Sequence, residues 1–148
     1  MITEATKLRK LAMVMGATAA TAASAIALPA TARADDRNFQ SPSGNIYCMI
    51  DTGGVACDIS YFTYQPPPPP ECGKHLPWGS RFTLAPGKPS AIECHGDTLR
   101  VPGEPILDYG HTISAGTLTC DSEPSGIKCT DTSSGHFFEV SRDAYNLG

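Results

Sequence analysis

The sequence predicts an all-β fold: a small, disulfide-stapled antiparallel sheet or barrel-like domain built of hairpins. Three observations carry that expectation. Fourteen glycines and thirteen prolines punctuate the chain, with short alternating runs between them. Two pairs of cysteines, each nine residues apart, flank turn signals. No long segment repeats its apolar residues at a helical period.

The domain is expected to begin after residue 34. Lys7, Arg9 and Lys10 precede an uncharged run from Leu11 to Leu28, Pro29 breaks it, and Ala32-Arg33-Ala34 offers the small residues that signal peptidase requires. Residues 1–34 therefore read as a cleaved secretory signal of the general export route, since no arginine pair is present. The run of about 18 residues sits at the short limit for a membrane anchor, and its Ala and Thr content makes it weakly apolar. After cleavage no segment is apolar enough to span a bilayer. The expected location is extracellular or bound to the cell wall.

Residues 35–148 then form one secreted β domain. Removing Glu4, Lys7, Arg9, Lys10 and Arg33 from the 15 acidic and 11 basic residues of the whole chain leaves 14 and 7, a net charge of −7. An acidic surface disfavours nucleic acid, which needs cationic neutralisation of its phosphates. It disfavours anionic lipid and anionic wall polymer for the same reason.

The strands follow in order. Asn45 to Ile50 and Val55 to Tyr61 form a hairpin about Thr52-Gly53, a register that sets Cys48 opposite Cys57. That pair falls on a non-hydrogen-bonded site, where opposed Cα atoms approach most closely and a bridge can close. Pro66, Pro67, Pro68, Pro69 and Pro70 force an extended left-handed helix without backbone donors. It reads as a stiff connector to Cys72, or as a presented ligand for an aromatic groove. Tyr61, Phe62, Tyr64 and Trp78 beside it either cover the core or form a contact edge. Ser80 to Ala85 alternates, with Phe82 and Leu84 on one face, and pairs with Ala91 to His95 across Pro86-Gly87-Lys88-Pro89. Thr98 to Val101 is a further short strand. Thr117 to Asp121, Gly126 to Thr130 and His136 to Ser141 form a closing meander. Glu123-Pro124-Ser125-Gly126 suits a type I turn and sets Cys120 opposite Cys129. Cys72 and Cys94 pair by elimination. Ser141 to Tyr145 suits a capped helical turn. The two cysteine hairpins share geometry, but their intervening residues differ and no duplication is read from them.

Cysteine spacing without any C-x-x-C, in an exported chain, argues for disulfides over zinc. No cofactor motif, phosphate-binding loop or nucleophile elbow is present. His75, His95, His111 and His136 lack ligand spacing, and Asp131 to Glu139 departs from the calcium-loop pattern. Asp131, Ser134 and His136 contain triad residue types, yet His136 and Ser141 serve equally well to satisfy backbone groups at strand ends.

Phe39-Gln40-Ser41-Pro42-Ser43-Gly44-Asn45-Ile46-Tyr47-Cys48 resembles the opening motif of a family of small secreted actinobacterial proteins of unknown function. Leu107 to Thr112 and the last cysteine hairpin are similar to its middle. Gly135-His136-Phe137-Phe138 and Val140-Ser141-Arg142 are similar to its closing motif. Phe137 and Tyr145 depart from the family's usual Gly and Trp. The resemblance implies a disulfide-bonded β domain and no activity.

These features favour a non-catalytic extracellular or cell-envelope interaction module, with a small secreted hydrolase or an enzyme inhibitor as the alternative. The expected contact residues are Tyr64, the five prolines, Trp78, His136 and Arg142. The expected partner is an extracellular protein or an envelope glycan.

Overall fold

The computed structural model describes residues 37–73 and 75–148. The expected signal segment lies outside the described residues. Ten strands appear in chain order: β1 Arg37–Gln40, β2 Ile46–Ile50, β3 Val55–Ile59, β4 Arg81–Leu84, β5 Ala91–Glu93, β6 Thr112–Ala115, β7 Leu118–Glu123, β8 Gly126–Asp131, β9 Phe137–Val140 and β10 Tyr145–Leu147. They form two antiparallel five-stranded sheets, ordered β1-β2-β3-β4-β5 and β6-β7-β8-β9-β10. The all-β expectation holds. The sheets are open, however, so the barrel-like variant does not: each meander ends on its own edge strand instead of joining the other.

The two cysteine hairpins fold in the expected register. Cys48 pairs with Cys57 and Cys120 with Cys129, at Cα separations of 4.1 and 4.0 Å. Those short separations mark non-hydrogen-bonded sites. All four of these cysteines are fully buried. The third bridge joins Cys72 to Cys94, both half-buried.

The likeness between the halves extends beyond the hairpins. In the first sheet one transverse row runs Phe39, Cys48, Cys57, Phe82, Ile92. In the second the equivalent row runs Ile113, Cys120, Cys129, Phe138, Leu147. Both halves carry G-x-[IL]-x-C-x5-G-[VI]-x-C, from Gly44 to Cys57 and from Gly116 to Cys129. Gly44 and Gly116 both have positive φ, 67° and 59°, a conformation that favours glycine. The chain is thus a tandem pair of five-stranded meanders, which the differing hairpin interiors concealed.

One core lies between the sheets. Phe82 of β4 meets Phe138 of β9 at a ring-centroid distance of 5.9 Å, and Tyr64 and Tyr145 close the edge of that cluster. Alternation places the apolar residues inward: Phe82 and Leu84 are buried, while Arg81 and Thr83 are half-buried.

Three strands were not expected. β1 buries only Phe39, and β6 and β10 are short with little burial. Each forms because a neighbour supplies the ladder. Two expectations fail. Thr98 to Val101 is irregular, because the Leu99 amide goes to Asp58 Oδ2 and the Arg100 amide to Thr98 Oγ1. Ser141 to Tyr145 is no helical turn. The Ser141 amide donates to the Ala144 carbonyl, and the Ala144 amide to Ser141 Oγ, closing a loop into β10.

Candidate functional site

Five chain segments converge on one cleft at an end of the sheets. They are the Ser41–Asn45 turn before β2, the Tyr61 and Tyr109 loops, the β7–β8 turn, and the β9–β10 loop with Arg142. The cleft encloses about 290 Å³. Tyr61 and Tyr109 are its large exposed side chains, at 62% and 46% of full exposure. The segments that carry the family resemblance, from Ser41, Tyr109 and Arg142 alike, meet here although up to a hundred residues of chain separate them.

The walls are held by local hydrogen bonds. Asn45 Nδ2 donates to the Tyr61 carbonyl at 2.8 Å, and the Tyr61 amide donates to Asn45 Oδ1 at 2.9 Å. This two-way clamp fixes the backbone that carries the Tyr61 ring. Ser41 Oγ accepts the Ile46 amide and shares a hydrogen bond with Ser43 Oγ, which fixes the entry to β2. Arg142 pairs with Asp143 at 2.9 Å, both side chains exposed. The hydrogen bond and charge of Asp143 raise the Arg142 pKa, and Arg142, then Thr63, hold Asp143 below the usual carboxylate range. An exposed pair of this kind adds little stability, but it orients the guanidinium. Glu123 completes the polar lining. The cleft thus offers two aromatic faces and a ring of neutral, acidic and basic hydrogen-bonding groups.

The other expected contact residues do not join it. Trp78 is half-buried, and its Nε1 donates to the Pro67 carbonyl at 2.8 Å. Pro66 packs on Gly79, and Pro67 to Pro70 are exposed. The proline run is therefore pinned along its own chain. Tyr64 is buried, with its hydroxyl donating to the Gly79 carbonyl at 2.7 Å and its ring stacked on Phe62 at 4.4 Å. Burial, with Tyr145 adding to it, raises its phenol well above the ordinary value. His136 precedes β9, at the opposite end of that strand from Arg142, with Nδ1 3.3 Å from the Gly148 carbonyl.

Asp131, Ser134 and His136 are not arranged as a triad. Ser134 Oγ donates directly to Asp131 Oδ2 at 2.6 Å, so no histidine stands between serine and acid. A different serine–histidine contact exists. Ser80 Oγ lies 2.8 Å from His95 Nε2, and His95 Nδ1 lies 2.7 Å from the Asp97 carbonyl. A carbonyl only accepts, so Nδ1 carries the proton and Nε2 of the neutral ring accepts from Ser80. Spacing alone did not reveal this pair; the β4–β5 register, with Arg81 opposite Glu93, brings it together. Among the described residues no group of three His, Cys, Asp or Glu side chains could hold a metal ion. No helix among them is long and apolar enough to cross a membrane.

Residues 20–147 match a family of unknown function, DUF6636. The chain belongs to that family. The match agrees with the resemblance to an uncharacterised family and carries no activity with it. No curated protein and no solved structure matches the chain. The cleft geometry is therefore what bears on the function of this DUF6636 member.

Proposed function

We propose that this protein is an exported, non-catalytic interaction module whose cleft binds a neutral glycan of the cell envelope. The observation that carries the reading is the pair of exposed tyrosines, Tyr61 and Tyr109, on a cleft edged by Glu123 and Arg142. A tyrosine presents an apolar ring face with a polar tip, which suits the C–H face and hydroxyls of a sugar. Few orienting polar groups within a concave site supply selectivity. The acidic net charge, −4 for the whole chain, favours a neutral polymer over an anionic one. Three disulfides fit an oxidising compartment.

The test is binding of the oxidised protein to isolated envelope polysaccharide and to neutral oligosaccharides, by co-sedimentation and calorimetry. Saturable binding that falls at least about tenfold in both Tyr109→Ala and Tyr61→Ala supports the reading, as expected for loss of aromatic anchors. Binding that is absent, or unchanged in both variants, refutes it.

The Ser80–His95 contact favours one second reading, a small secreted hydrolase. Neutral Nε2 is placed to take the Ser80 proton, as an activated nucleophile requires. A fluorophosphonate that labels Ser80, but fails to label it in His95→Asn, would support this reading over the binding module. An unlabelled Ser80 leaves the pair as a structural hydrogen bond.

A further inference from the structure

A second cavity opens where β1, the Val101–Leu107 loop and β6 meet, with a volume of about 440 Å³. Its walls are largely apolar, with Phe39, Val101, Ile106, Leu107 and Ile113 among them. Val101 and Ile106 are exposed, at 49% and 57%. One acid, Glu104, and one base, Arg37, line it.

Glu104 is the unusual member. It is only 7% exposed, and neither carboxylate oxygen has a hydrogen-bond partner. The other buried acids are satisfied. Asp58 holds Arg81 and the Leu99 amide, and Asp131 accepts from Gly87, Ser133 and Ser134. A buried carboxylate without a donor is unfavourable. Desolvation raises the Glu104 pKa, and the Val101 amide opposes that shift more weakly without completing a hydrogen bond to either oxygen.

The surrounding backbone does not explain the exception. The Glu104 carbonyl accepts from Gln40 Nε2 at 2.8 Å. The Gln40 amide donates to the Pro105 carbonyl, and the Leu107 amide to the Gln40 carbonyl, both at 2.9 Å. The loop is thus strapped to β1, and its one unmet polar group sits against an apolar cavity. A ligand that answers both features has an apolar body and a cationic donor. We propose that this cavity is a binding site for an amphipathic primary amine, with the ammonium on Glu104 and the body against Phe39, Ile106 and Ile113. Binding requires the Glu104 side chain to turn its oxygens toward the cavity that the residue lines. The site is separate from the tyrosine cleft, with which it shares no lining residue.

Hexylammonium, hexanol and hexanoate serve as cationic, neutral and anionic probes of one length. The oxidised full chain is titrated with each near neutral pH and followed by amide NMR. Hexylammonium should give saturable shifts at Gly103, Ile106 and Ile113. Its affinity should fall about tenfold or more in Glu104→Gln, the loss expected for a charged hydrogen bond. Glu104→Asp keeps the charge and should weaken binding less than Glu104→Gln does. The proposal is overturned if hexanol binds as tightly as hexylammonium, or if Glu104→Gln binds hexylammonium unchanged. Preferential binding of hexanoate also overturns it and assigns the cavity to Arg37. Loss of binding in the tyrosine-cleft variants, with this titration intact, separates failure of the two sites.

Discussion

Asp131 Oδ2 accepts the Gly87 amide at 2.7 Å, across 44 residues of chain. Asp131 ends β8, and Gly87 lies in the β4–β5 turn, so this bond ties the second sheet to the first. The Gly87 amide, then the Ser134 hydroxyl, hold the Asp131 carboxyl far below the usual carboxylate range. An unfolded aspartate titrates near about 3.9. The folded value is depressed, so the contribution to stability is present above the unfolded pKa and is lost as pH falls toward the folded one. Thermal melts should therefore show stability dropping as pH falls below about 5. Asp131→Asn should melt lower at neutral pH and show a shallower acid slope. Identical slopes for the two proteins would contradict the assignment.

Arg81 makes a second interior tie. Its guanidinium meets Asp58 at 2.6 Å, with the two side chains 11% and 8% exposed. The hydrogen bond to Asp58 is the main cause of the raised Arg81 pKa. Arg81→Met leaves Asp58 buried with only the Leu99 amide as donor. Urea unfolding should show a loss of about 3–5 kcal/mol, the usual result of breaking a buried pair. Adding Asp58→Asn should recover part of it. A double variant less stable than Arg81→Met would show that Asp58 is held by other groups.

The bridges should rank by burial, against loop length. Chain entropy alone assigns about 2.7 kcal/mol to each nine-residue hairpin bridge and about 3.4 to Cys72–Cys94. The hairpin cysteines, however, are fully buried in the core, so their removal also loses packing. Cys48→Ala with Cys57→Ala should therefore destabilise more than Cys72→Ala with Cys94→Ala. The latter variant should retain the β signal in circular dichroism. The opposite ranking in denaturant midpoints would show that loop entropy dominates.

Gly79 sets the position of the proline run. Its φ is +89°, and an added Cβ would stand 2.7 Å from Pro66 Cγ. Gly79→Ala combines left-handed strain, about 1–2 kcal/mol, with a clash against a ring. The Trp78 indole N–H should then lose its Pro67 acceptor and exchange faster with solvent. Unchanged indole exchange would mean the prolines move with the turn.

Sequence by itself determined the all-β class, the two hairpin registers and the cysteine pairing. These rest on local rules, since a turn and a two-residue period fix which side chains stand opposite each other. Phe82 and Leu84 were legible as an inward face for the same reason. Arg142 is expected as a contact residue on the closing strand; the cleft that it lines is not legible, and Tyr61 reads only as a neighbour of the proline run. Tyr61 and Tyr109 stand 48 positions apart and on different sheets' loops, and no periodicity relates them. The tertiary structure alone decided the openness of the sheets, the edge strands β1, β6 and β10, and the irregular course of Thr98 to Val101. Each depends on which distant group takes a backbone donor. It also decided that Glu104 is buried without a partner and that Ser80 meets His95. Burial and long-range proximity are properties of the packed pair of sheets, and a one-dimensional pattern does not contain them.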